Sequence, residues 1–198
     1  MPERTLILAS GSPARLRLLR EAGFDPKVVV SGVSEDDAVA DDTPSLTLIL
    51  AERKASAVAD PDGEAIVIGC DSILEFDGWR FGKPATEDEA MGWLRSMRGR
   101  PGILYTGHCV IDERNGGKAT GVGATTVRFG MTTDDELRAY LATGEAMAVA
   151  GAFTIDGRSA PFVDGVDGDP SNVIGLSLPL FRSLLAELDI PMTSLWAT

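Results

Sequence analysis

Val67-Ile68-Gly69-Cys70-Asp71-Ser72-Ile73-Leu74 decides how this chain folds. The run is apolar and rich in β-branched residues. Ala59-Asp60-Pro61-Asp62-Gly63 bounds it on one side and Asp77-Gly78 on the other, so it reads as a buried strand with a turn at each end. One carboxylate, Asp71, interrupts it. A charge inside a buried strand costs several kcal/mol unless a cation or strong donors meet it. Shortly downstream, Gly82-Lys83-Pro84 sets a lysine in a rigid turn. The expected chemistry is a carboxylate, Asp71, working on a metal-bound phosphate ester, with Lys83 across a cleft from it.

Upstream, Thr5-Leu6-Ile7-Leu8-Ala9 reads as a first buried strand. Ser10-Gly11-Ser12-Pro13 turns the chain into a helix over Ala14 to Ala22, with Ser12 as N-cap, Pro13 in the first turn and Gly23 as the stop. A strand, a Ser/Gly turn and a helix N-terminus suit an anion, and Arg15 can reach back over the turn. A plain structural turn accounts for the same residues, so the two readings stand side by side. Arg17 and Arg20 read as solvated. Lys27 to Val30 is a second strand, and Ser31 to Thr43 a loop rich in acids, including Glu35, whose bland reading is solvated surface. Pro44 to Ala59 is a helix; by spacing alone its Lys54 is a surface lysine.

Downstream, Trp79-Arg80-Phe81 pairs back across Asp77-Gly78 as a hairpin. Thr86 caps a helix running to Arg98, with Glu89 in capping-box register. Ile103 to Ile111 and Ala119 to Phe129 are strands, and Thr133 opens a further capping-box helix. Ala150 to Ile155 and Ala160 to Val163 read as two strands joined around Asp156-Gly157. Gly165 to Asn172 reads as an acidic loop without the glutamate that an EF-hand requires at its twelfth position. Pro179 to Leu188 is the last helix, followed by a short tail.

A formal net charge of −12 argues against a nucleic-acid coat or an anionic membrane surface as partner. It leaves room for a small anion held by local Arg and Lys. His108 is the single histidine, which leaves neither a Ser-His triad nor a multi-histidine metal site within one chain. Cys70, Cys109 and His108 make a poor zinc set, and the two cysteines read as buried thiols. No apolar run reaches membrane-spanning length, and Met1-Pro2-Glu3-Arg4 lacks a signal-peptide pattern, so a cytoplasmic protein is expected. No repeat or linker divides the chain, and a single domain over 1–198 in two lobes is expected.

Taken in order, the motifs resemble the Maf family of nucleoside triphosphate pyrophosphatases. They are Leu8-Ala9-Ser10-Gly11-Ser12-Pro13-Ala14-Arg15, the Glu35 loop, Leu50-Ala51-Glu52-Arg53-Lys54-Ala55, Gly69-Cys70-Asp71-Ser72, Gly82-Lys83-Pro84, Tyr105-Thr106-Gly107, Ala150-Gly151-Ala152-Phe153 and Gly168-Asp169-Pro170-Ser171-Asn172-Val173-Ile174-Gly175-Leu176. The resemblance covers nearly the whole chain. It implies a Maf- or ITPase-like α/β fold, with a long mixed twisted sheet, flanking helices and a cleft between two lobes. It implies hydrolysis of (d)NTPs, non-standard ones among them, to the monophosphate and pyrophosphate, with Mg²⁺ or Mn²⁺ as cofactor. Asp71 matches the family's proton acceptor, Ser10 and Arg15 its phosphate-binding turn, Glu35 the acid of its second motif, and Lys83 its Gly-Lys-Pro lysine. Lys54 matches a helical lysine of the family, against the surface reading that spacing gives. Glu35 and Asp71 would supply the one or two carboxylates such an ion needs, and Asp71 would also take a proton from the attacking water.

Base recognition does not follow from the resemblance. Pyrimidine-preferring members carry Thr at the position of Ser72 and Gln at that of Asp156. Members acting on 7-methyl-GTP carry Trp, Gln and Glu at the positions of Ala14, Ser72 and Asp156. This chain follows neither pattern, and an acidic Asp156 suits the N–H groups of a purine. A nucleotide-binding regulator of cell division is the alternative from another class, and pyrophosphate release separates the two. An acidic surface permits a homodimer without requiring one.

Overall fold

The computed structural model describes residues 4–35 and 37–197. In chain order the elements are β1 (Leu6–Leu8), α1 (Pro13–Glu21), β2 (Lys27–Val28), α2 (Thr43–Ser56), β3 (Ile66–Phe76), β4 (Trp79–Phe81), α3 (Glu87–Met97), β5 (Pro101–Asp112), β6 (Gly117–Phe129), α4 (Asp134–Leu141), β7 (Val163–Asp167), α5 (Pro170–Ile174) and α6 (Leu178–Glu187). The strands form one mixed sheet in the order β2-β1-β3-β5-β6-β7, with β4 folded back on β3. The fold is therefore mixed α/β, as expected.

Local chemistry sets the helix starts. Ser12, Thr86 and Thr133 each occupy an N-cap and accept from the amide three residues on. Thr133 and Glu136 complete a capping box. At α3 the carboxylate of Glu89 reaches one residue further back, to the amide of Ala85 at 2.7 Å. The second helix starts earlier than expected, because Asp42 caps it through the amide of Ser45 at 2.7 Å.

The chain resolves into two compact units. The first comprises Met1–Asp71, Thr106–Gly123 and Gly175–Thr198, and the second Ser72–Tyr105 and Ala124–Ile174. In the first, β1 lies between β2 and β3 and runs parallel to both. The chain leaves β1 to one side, then crosses back to the other, so the carboxyl end of β1 is a topological switch point, where open α/β sheets bind ligands. Ile68 pairs with Leu8, which puts Asp71 three residues past that level, alongside the turn that follows β1. The first unit packs Ala9, Ala51, Ala55, Val67 and Cys109 together. The second is built on the apolar residues of α3 and α4 and on Leu74, Leu104, Val127 and Phe129.

Three expectations need correction. Ala150–Ala152 is a 3-10 turn and not a strand, because Gly151 and Ala152 have φ values of 67° and 60°, which a strand cannot contain; Ala160–Phe162 is also a 3-10 turn, closed by the Phe162 amide donating to the Ser159 carbonyl at 2.9 Å. Asp156 consequently sits in a turn between them, its amide donating to Thr154 Oγ1, and not in a β-hairpin. The acidic stretch from Gly165 divides between β7 and α5, and Asp169 accepts from the amide and hydroxyl of Ser171 at the entry to α5. The C-terminal residues form a docked segment: Trp196 bridges to Phe24, and the Ala197 amide donates to the Gly23 carbonyl at 2.8 Å.

Candidate active site

Two glycines seat the helix that carries Lys54. A Cβ built on Gly69 would stand 2.5 Å from the Ala51 carbonyl oxygen and 2.7 Å from the Ala55 nitrogen. A Cβ on Gly107 would stand 2.2 Å from the Thr47 carbonyl oxygen. The backbone of α2 thus lies directly on β3 and β5, and only residues without a side chain fit beneath it. Asp71 follows Gly69 by two residues, so it faces the same helix. Lys54 Nζ meets Asp71 Oδ1 at 2.5 Å and Glu35 Oε1 at 2.6 Å. The loop before α2, the helix itself and β3 each contribute one charged group to a single point.

Asp71 is buried at 6% exposure, and Lys54 keeps 12% of its side-chain surface. Glu35 lies toward solvent, with 55% of its side chain exposed. Burial pushes the Asp71 carboxyl above its ordinary value; Lys54 and Arg15 pull it back without cancelling the shift. The lone acid of the strand is therefore met by cations, as the sequence demands.

Ser10, Ser12 and Arg15 form the second part of the site. Arg15, itself buried, donates from Nη1 to Ser10 Oγ at 3.1 Å and from Nε to the Gly175 carbonyl at 2.6 Å. Ser10 Oγ also accepts from the Ser12 amide at 3.2 Å, and Ser12 Oγ from the Arg15 amide at 3.4 Å. The turn is tied to its own helix, and the guanidinium is aimed by one hydroxyl and one carbonyl. The role of Gly175 escaped the sequence reading, although its motif was visible. Its φ of 120° and the 3.1 Å between an added Cβ and Arg15 Nε leave room for glycine alone.

Ser10, Ser12, Arg15, Glu35, Lys54 and Asp71 all belong to the first unit. Ser72, Lys83 and Asp156 belong to the second. There Lys83 is exposed, on a turn whose Gly82 carbonyl accepts from the Gly151 amide at 2.9 Å. Asp156 is exposed and hydrogen-bonded to the Thr154 hydroxyl, and Ser72 is half-buried.

Among the described residues, no cluster of three or more His, Cys, Asp and Glu side chains makes a metal cage. The pair Glu35 and Asp71 fits a different kind of site. Two hard carboxylate oxygens converge on one cationic point, a set that suits an ion completing its shell with water and phosphate oxygens. It does not suit zinc, which takes four protein ligands or three with a water.

The remaining candidates are structural. His108 is fully buried; Nε2 accepts from the Ser177 amide at 2.8 Å, and Nδ1 donates to the Thr106 carbonyl at 2.9 Å. Cys70 and Cys109 are free and buried, and burial pushes each thiol up to about 12. Cys109 packs with Val67 and Ala51 on the α2 side, whereas Cys70, one residue from Asp71, points to the opposite face of β3.

The sequence profile of the Maf-like protein family matches residues 5–188. A nucleoside triphosphate pyrophosphatase of Streptomyces coelicolor is 58% identical over 198 residues, covering 99% of this chain and 96% of the relative. Proteins of the same name from Salinispora tropica and Cutibacterium acnes are 52% and 45% identical, over 97% and 96% of this chain and 87% and 93% of their own lengths. With the profile matching residues 5–188 and relatives at 45–58% identity covering nearly all of the chain, this chain belongs to the Maf-like protein family.

Proposed function

We propose that this chain is a nucleoside triphosphate pyrophosphatase, a hydrolase that cleaves between the α- and β-phosphates to give a nucleoside monophosphate and pyrophosphate. The names carried by its relatives support the reaction. One observation in the chain itself carries the reading: a buried carboxylate, Asp71, stands at the switch point of the sheet beside Lys54, Glu35 and the Arg15 turn.

Asp71 takes the proton of the attacking water, a role that its upward-shifted carboxyl suits. Arg15, aimed by Ser10 and Gly175, and Lys54 offset the charge that builds on the departing pyrophosphate. Ser12 fixes the N-terminus of α1 behind the phosphates. Glu35 and Asp71 are the residues that would hold a divalent ion, Mg²⁺ or Mn²⁺. When bound, that ion supplies charge neutralisation and polarisation of phosphate oxygens. The assignment of Lys83 to the phosphates, and of Ser72 and Asp156 to the base, rests on the family likeness alone.

The test is a panel of standard and modified nucleoside triphosphates with Mg²⁺ or Mn²⁺, the products separated by chromatography. Monophosphate and pyrophosphate in equal amounts are expected, with purines ahead of pyrimidines. Release of orthophosphate, or no turnover of any nucleotide, overturns the reading.

A further inference from the structure

We propose that Lys54 is a resident counter-cation: in the free protein its ammonium holds the point between Glu35 and Asp71 that a divalent ion takes in the working enzyme, so the ion enters together with the triphosphate and not before it. The inference rests on the functional reading above and concerns how that same site is loaded.

The geometry carries it. Lys54 Nζ is 2.5 Å from Asp71 Oδ1 and 2.6 Å from Glu35 Oε1. Asp71 is buried and needs a cation on that ground alone. Glu35 does not, because more than half of its side chain faces water. Its convergence on the same nitrogen is therefore not explained by neutralising a buried charge. It is explained if the two carboxylates are set out to share one cation. A lysine suits a placeholder: it is a compact point charge on a flexible stem, with no fixed fork to satisfy.

An ammonium and a divalent ion cannot both hold that point, since they repel and compete for the same two oxygens. A triphosphate changes the balance twice over. Its oxygens give the ammonium a new partner, and they complete the shell of an ion that takes only one or two carboxylates from protein. Ion and nucleotide then raise each other's affinity, as linkage requires, and Lys54 is the group whose displacement couples them.

The test measures Mn²⁺ alone, without nucleotide, by electron paramagnetic resonance of the free ion. Lys54→Met is expected to bind Mn²⁺ on the order of tenfold more tightly than wild type. Equal or weaker binding by the variant overturns the proposal, because a lysine serving only to hold the fold gives that result. A second measurement uses the intact protein and is independent of how the variant folds. The ¹⁵N signal of the Lys54 ammonium is expected to stay in place with excess Mg²⁺ and to move when an α,β-methylene triphosphate is added. A shift on Mg²⁺ alone overturns the proposal. A protein that turned over no nucleotide would sink the functional reading, while the Mn²⁺ comparison would still decide this one.

Discussion

Two buried carboxylates, Asp71 and Asp112, respond to their surroundings in opposite directions. Burial lifts Asp71 more than Lys54 and Arg15 lower it. The folded protein then holds that proton more readily than the unfolded chain, so stability declines as pH rises from the unfolded value toward the folded one. Asp71→Asn is accordingly expected to melt at or above the wild-type temperature while turnover falls by at least ~10²-fold. Calorimetry and a pyrophosphate assay on one preparation check both. With Asp71 as the proposed base, kcat/KM of the wild type should fall on the acid side along a limb lying above the usual carboxylate range. Asp112 has the other sign. Hydrogen bonds from Arg4, one of them 2.9 Å from Nη1 to Oδ2, hold its carboxyl below the ordinary value. The stability it contributes is present above the unfolded value of about 3.9 and is lost as pH falls through the folded value. Asp112→Asn should flatten the dependence of stability on pH below about 4, as read from denaturant titrations, and should cost about 3–5 kcal/mol at neutral pH by stranding Arg4.

At the level of elements, the seating of α2 on Gly69 and Gly107 governs the site. Gly69→Ala forces a methyl to 2.5 Å from the Ala51 carbonyl, so the helix must lift. A loss of about 1–3 kcal/mol is expected, together with a drop in turnover as Lys54 shifts from Asp71. Gly92→Ala, on α3 where an added Cβ meets nothing, should instead gain about 0.5–1 kcal/mol and leave activity alone. Thermal melts and assays of the two variants separate the effects. The same level shows what a sequence can tell. Helix starts were legible because a cap is written within four residues, as at Ser12, Thr86 and Thr133. Ala150 to Ile155 reads as a strand because its apolar residues mimic one, whereas they are apolar to fill the core around Leu74 and Phe129. Asp71 announced itself as a charge in a greasy run. Lys54 and Glu35 did not, since helical spacing cannot say what a lysine tip reaches and a loop acid looks solvated until its partner is known.

Across the whole molecule, the family motifs imply a long mixed sheet but not the order of its strands, because parallel neighbours far apart in the chain leave no local trace. The division into two units left none either. Three of its four boundaries, at Asp71/Ser72, Tyr105/Thr106 and Gly123/Ala124, fall inside β3, β5 and β6, where no linker composition exists. Among the described residues, no helix is long and apolar enough to cross a membrane. The two thiols, fully buried on opposite faces of the sheet, have a practical consequence. A colorimetric thiol reagent should titrate none in the native protein and two after denaturation. The wild type then serves as its own silent background for spectroscopy. A cysteine placed at Val39, where 85% of the residue is open to water, would be the sole handle for a fluorophore, reporting on the Glu35 loop without disturbing either native sulfur.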